Sequence, residues 1–177
     1  MEKNNKNNRF NNILKDLSDN DSKKVLTAIS QLRKHGKKEA IIPLIKTYSS
    51  SASDEIRQEI VSLFYDLKDQ AVVEEIIIAI ADEQFIEERS LLVSIFWQSA
   101  LDGSDYLSDF VRAAIHSDYL TCLEALTVIE NFDSTFDENE IDDLKYDLDE
   151  VIDSEETEKA KLLASIKLAL EGLNVEY

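Results

Sequence analysis

The sequence predicts an all-α fold, an α-α superhelix of about four helical pairs with extra helices at both ends. Three observations predict it. An amphipathic helix, a polar break and a second amphipathic helix recur four times, the first helices opening near Ser22, Ser53, Glu87 and Asp118, at spacings of 31, 34 and 31 residues. A period in this range marks stacked supersecondary units. Glycine occurs three times and proline once in 177 residues, which leaves little room for the tight turns of a sheet. Hydrophobic residues make up 44% of the chain, enough for a single folded core over residues 9–177.

The Asn-rich stretch 1–8 is expected to be disordered, and a short first helix to cover Arg9 to Leu17 with Phe10, Ile13, Leu14 and Leu17 on one face. Ser22 is the expected N-cap of the first pair, whose opening helix runs to about His35 and buries Val25, Leu26, Ile29 and Leu32. Gly36 ends it in a left-handed conformation. Lys38 to Tyr48 follows, burying Ile41, Ile42, Leu44 and Ile45, with Pro43 near its start.

The second pair comprises Asp54–Leu67 and Val72–Ala81. The run Glu74 to Ile80 has strand-like propensity, but its place in the period makes it helix. The third pair comprises Glu87–Leu101, apolar on nearly all sides and so central, and Asp105–Ile115, separated by Asp102-Gly103. The fourth begins at Asp118 and buries Leu120, Leu123, Leu126, Val128 and Ile129; a polar linker with two phenylalanines, Asn131 to Phe136, leads to Asp137–Ile152. A last helix, Glu155–Leu173, buries Leu162, Leu163, Ile166, Leu168 and Leu170 and closes the stack.

Charge divides the chain. Residues 1–50 carry 11 Lys/Arg against 5 Asp/Glu, a net of +6, whereas residues 51–177 carry 8 against 32, a net of −24. Between Glu130 and Glu158 stand 14 carboxylates against Lys145 alone. Such a surface repels phosphate backbones and so argues against nucleic acid; it attracts basic proteins, and it also keeps a chain soluble. No apolar run reaches the roughly 18 residues that cross a bilayer. The amino end lacks the apolar core of a secretory signal, and a single cysteine, Cys122, allows no internal disulfide. Together these make a cytoplasmic protein without a membrane partner the expectation.

Ile42-Pro43-Leu44-Ile45 and the following Ile56-Arg57, Ile60 and Leu63 resemble the HEAT-repeat pattern, in which an "aIppLi" second helix leads into a "vRxxAxxxL" first helix. Cys122 to Asn131, CLEALTVIEN, looks like another first helix. The resemblance spans residues 20–153, with proline missing from later second helices, so an irregular twist is expected. HEAT and armadillo-like domains are binding scaffolds, and the resemblance implies a protein-interaction role.

Few residues carry chemistry of their own. His35 and His116 sit at helix ends, where a cation suits the dipole, and Cys122 lies on an apolar stretch as an inert buried thiol. Two histidines and one cysteine do not complete a zinc site. Loops begun at Asp16 or Asp133 lack the Gly and Glu that a calcium loop needs, since Asp21 and Thr27, or Glu138 and Leu144, stand in those places. No catalytic motif or cofactor site is predicted. Trp97 and Phe96 read as core, and Tyr106, Tyr119 and Tyr146 as candidates for exposure, with Tyr146 an interface anchor among acids.

Second helices of such stacks line the concave side, which puts Lys46, Glu75, Asp109, Arg112, Asp142, Tyr146 and Asp149 in a groove running from basic to acidic. The expected function is a non-enzymatic scaffold or adaptor binding a basic protein. One concrete form is an immunity-type inhibitor masking a basic toxin. A HEAT-like lyase is a weaker alternative for want of a thiol or base at an identifiable site. The chain is expected to be a monomer or a weak homo-oligomer joined basic end to acidic tail.

Overall fold

A computed structural model describes residues 2–35, 37–154 and 157–176. The expected left-handed turn at Gly36, the capping role of the His35 side chain and the helix start at Glu155 lie outside what it describes. The chain is all-α: among the described residues it forms ten α-helices and two three-residue strands. Contacts gather in two compact units, one ending at Ile76 and one beginning at Ile77.

The first unit holds α1 (Glu2–Asp16), α2 (Ser22–His35), α3 (Ile41–Ser50) and α4 (Asp54–Tyr65). Helix α1 begins at Glu2 rather than at Arg9, and buries Ile13 in its last turns. The capping group of α2 is Asp21, not Ser22: its carboxylate accepts from the Lys23 amide at 2.9 Å, and its carbonyl accepts from Lys24 and Val25. A carboxylate at this place also faces the positive end of the helix dipole. Pro43 falls in the first turn of α3, where its missing N–H removes no helical bond, so the helix is intact around it. Ser53 caps α4 by accepting from the Ile56 amide. The guanidinium of Arg33 ties α2 to α4, donating to the carbonyls of Glu59 and Ser62 and to the carboxylate of Asp66. Beneath it Ile29, Leu32, Ile60, Leu63 and Phe64 are buried.

Helix α5 (Val73–Ala81) spans the join of the two units, and Ile76, Ala79 and Ile80 on it are buried. The second unit continues with α6 (Arg89–Gln98), α7 (Leu107–His116), α8 (Tyr119–Glu130), β1 (Thr135–Asp137), α9 (Glu138–Ile152), α10 (Glu158–Glu171) and β2 (Asn174–Glu176). Helix α8 packs against α6, α7 and α10, and α9 packs against α7 and α10. Helices α6 and α8 run parallel: Arg89, opening α6, donates to Ser117 Oγ before α8, and Trp97 near its end donates to Glu124 within α8. Lys159, opening α10, donates to the Ile115 carbonyl at 2.6 Å, so α10 starts beside the start of α8. The segments leaving α8 and α10 therefore pair as parallel strands, with Phe136 opposite Val175. This pairing falls where a plain polar linker was expected, because two three-residue strands far apart in sequence leave no local periodicity to read.

A line of aromatic rings knits this unit. Phe96 of α6 meets Phe110 of α7 edge to face, centroids 4.9 Å apart; Phe110 meets Phe132 at 5.9 Å, and Phe132 meets Phe136 at 5.8 Å. The two linker phenylalanines thus anchor the path between α8 and α9. Gly103 is buried against the first two rings: a Cβ there would lie 2.7 Å from Phe96 and 2.9 Å from Phe110.

Several apolar positions expected in the core are not there. Helix α6 ends at Gln98 rather than at Leu101, and Trp97 is 40% exposed. Leu120 and Leu123 are exposed because α6, α7 and α10 leave their part of α8 uncovered while burying Thr121, Cys122, Ala125, Leu126, Val128 and Ile129. Leu168 is exposed on the side of α10 turned away from Leu163, Ile166 and Leu170. Leu26, Ile42, Leu91 and Leu162 are half-buried, Tyr106 is half-buried rather than exposed, and the 3-10 turns at Gln70–Val72, Glu83–Glu88 and Ser104–Tyr106 lead into the second and third pairs' helices.

Gly103→Ala forces a methyl group between two packed rings, and overpacking of this kind costs about 1–3 kcal/mol. Urea unfolding should show that loss with the helical signal of the native state intact; an unchanged midpoint would mean that the rings yield freely.

Candidate functional site

The expected groove residues divide between the units. Lys46 and Glu75 belong to the first, where Lys46 is exposed and Glu75 is half-buried with its carboxylate 3.4 Å from Lys38. Asp109, Arg112, Asp142, Tyr146 and Asp149 belong to the second.

Helices α7 and α9 pack together, Asp109 and Arg112 lying on the first and Asp142, Tyr146 and Asp149 on the second. Ser108 of α7 donates to Glu140 of α9 at 2.5 Å, which brings Asp109, half-buried one residue on, near that carboxylate. Burial pushes the Asp109 carboxyl above its usual range, the neighbouring Arg112 guanidinium works against the shift, and the like charge of Glu140 adds to it. Helix α9 starts at Asp137, whose carboxylate accepts from the amides of Asn139 and Glu140 and is held below the usual carboxylate range chiefly by the Glu140 bond. Its buried side is Ile141, Leu144 and Leu148; turned away from it are Asp142, Asp143, Tyr146, Asp147, Asp149 and Glu150, all exposed.

Tyr146 is 65% exposed and donates its hydroxyl to Glu150 at 3.1 Å, a bond that raises the pKa of the phenol. Lys145 pairs with Asp142 at 2.8 Å and Lys167 with Asp149 at 2.6 Å. No lysine or arginine among the described residues pairs with Asp143 or Asp147.

The rest of the second unit tells the same story. It carries 25 Asp/Glu against 6 Lys/Arg. Arg89 is buried and bonded to Glu83 and Ser117, Lys161 pairs with Glu158, and Lys159 is held by a backbone carbonyl. Among the described residues of the unit, Arg112 is the exposed cation left without such a partner.

A second surface was missed by sequence reasoning. Trp97 of α6 donates its indole N–H to Glu124 of α8 at 2.6 Å, and on α8 Tyr119, Leu120 and Leu123 are 45%, 57% and 38% exposed. Helix α8 is apolar around most of its circumference, so its pattern does not say which side faces water. The bond of Glu124, the one charge in the middle of α8, to the indole is a contact between two helices and leaves no sign in the sequence.

The residues with chemical potential of their own stay apart. His116 is exposed in the last turn of α7, whereas Cys122 is fully buried. Burial pushes the Cys122 thiol up to about 11, and the charge of Lys159 offsets this in part. Among the described residues no group of three or more His, Cys, Asp or Glu side chains is placed to hold a metal ion, and no helix is long and apolar enough to cross a membrane. In the first unit a cleft of about 260 Å³ opens over Leu44, Leu63 and Val72, but the Arg33 at its rim is already bound to Asp66.

No family model, curated protein or solved structure matches the chain.

A thiol with a pKa near 11 is thiolate in roughly one molecule in a thousand at pH 8. The native protein should therefore resist a thiol reagent at pH 8 for hours and react at once in denaturant. Rapid labelling of the folded protein would show an activated, accessible cysteine instead.

Proposed function

We propose that the chain is a non-enzymatic protein-binding module, a HEAT-like stack of helical pairs whose second unit binds a basic protein across α7 and α9. The observation that carries the reading is the state of the cations in that unit: nearly all are buried, paired or held by backbone, so the carboxylates of α9 face water largely uncompensated. Keeping so many like charges on one surface costs stability through self-repulsion, and a basic partner relieves that cost.

Tyr146 supports the same reading. It stands out from the surface with an apolar ring and a polar tip, the type of side chain that anchors interfaces, and the acids around it orient an incoming lysine or arginine. Asp109 adds a signature. Its carboxyl holds its proton more tightly than an ordinary carboxylate through burial and the charge of Glu140, and a cation brought to it favours the charged form. The parallel row of α6, α8 and α10, each pair bridged by a second helix, supports the stacked-pair architecture.

The test is affinity capture with the native chain and with Asp143→Asn/Tyr146→Ala/Asp147→Asn. The captured protein should have a basic surface and be released by about 1 M salt, where the Debye length falls to about 3 Å. The triple variant should bind it about tenfold more weakly. Capture that ignores both salt and the α9 substitutions would refute the reading.

A further inference from the structure

We propose that Trp97, Tyr119, Leu120 and Leu123 form an apolar docking face for a cationic amphipathic helix, distinct from the acidic side of α9. The inference deepens the reading of the second unit as protein-binding and rests on it for the sign of the partner's charge.

Tyr119 and Leu123 lie four residues apart on α8 and Leu120 and Leu123 three apart, so all three share one side of the helix. Trp97 joins them from the adjacent parallel helix through its 2.6 Å bond to Glu124. That bond satisfies the indole N–H at the surface and leaves the ring available for contact. Four large apolar side chains at 38–57% exposure on two neighbouring helices make a patch rather than scattered exposure, and such patches mark interaction sites. Two parallel helices side by side present the kind of groove into which a helix sets anchors at i, i+3, i+4 and i+7.

Charge selects the occupant. Helix α8 and its cap carry Asp118, Glu124 and Glu130 and no cation. The only charged residue of α6, Arg89, is buried and paired. A second copy docking the same face would bring two units of 25 carboxylates against 6 cations together, with no exposed cation on the face to relieve the repulsion. A helix with an apolar stripe flanked by lysines or arginines meets both features at once, its stripe on Trp97, Leu120 and Leu123 and its cations on the acidic rim.

Trp97 is the only tryptophan of the chain, so its fluorescence reports on this face alone. The experiment titrates the full-length protein with a synthetic 18-residue lysine–leucine amphipathic helix, and with a glutamate–leucine helix of the same pattern. The lysine peptide should give a saturable blue shift that the glutamate peptide does not. Leu120→Ser/Leu123→Ser, at two exposed positions, should weaken binding at least tenfold and leave the helical spectrum unchanged. Asp143→Asn/Asp147→Asn on α9 should leave it within about twofold.

No shift with the lysine peptide, an equal shift with both peptides, or loss of binding only in the α9 variant would each overturn the proposal. The last of these would leave the α9 reading standing, whereas failure of affinity capture with an intact Trp97 response would remove α9 as the binding surface and leave this face as the basic-partner site of the unit. Concentration-dependent dimerisation abolished by the leucine substitutions would identify a second copy as the occupant and likewise overturn it.

Discussion

The second unit depends on the burial of one helix. Helix α8 has so little polar surface that it is stable only with neighbours on several sides, and α6, α7 and α10 supply them. Its buried side, Cys122, Ala125, Val128 and Ile129, is small enough to let those neighbours approach. The parallel course of α6, α8 and α10 then decides where the chain ends up. It sets the strands after α8 and α10 side by side, and it brings Phe132 and Phe136 into line with the rings of α6 and α7. Each side chain in this set is held by several others, so the unit behaves as one packed object rather than a string of independent helices.

Electrostatics works against that packing and is confined to the surface. The acids of α9 stand opposite Ile141, Leu144 and Leu148, and the lysines that could neutralise them are drawn into single pairs: Lys145 with Asp142, Lys167 with Asp149. Exposed pairs of this kind contribute little stability each, but they fix which carboxylates remain bare. Asp109 feels the same field at a half-buried place, where burial and the charge of Glu140 hold its proton more tightly. The unit thus stores unfavourable charge on one side and unfavourable apolar exposure on another, around Trp97.

Much of the architecture was legible from the chain. Helix starts at Asp54 and Asp118 are marked by short polar caps, the strand-like run Glu74 to Ile80 falls in a helix as its place in the period requires, and Cys122 is buried as an apolar stretch predicts. What was not legible has physical reasons. An all-round apolar helix carries no moment to say which leucines face water, which hid Leu120 and Leu123. Trp97 looked like core because its solution, a surface bond to Glu124 on another helix, is a tertiary contact with no local trace. The pairing of Thr135–Asp137 with Asn174–Glu176 is long-range for the same reason. Of the seven groove residues, Tyr146 and its acidic neighbours are exposed on one side of α9, while Glu75 is engaged by Lys38.

Because α8 is held from three sides, its amides should be the last of the second unit to open. Native-state hydrogen exchange measures this directly. The amides from Cys122 to Ile129 should exchange only with global unfolding of the unit, more slowly than those on the water-facing turns of α9 and with the same dependence on denaturant as the unfolding transition. Exchange of those amides through a local opening, ahead of α9, would contradict the claim that burial of α8 organises this half of the protein.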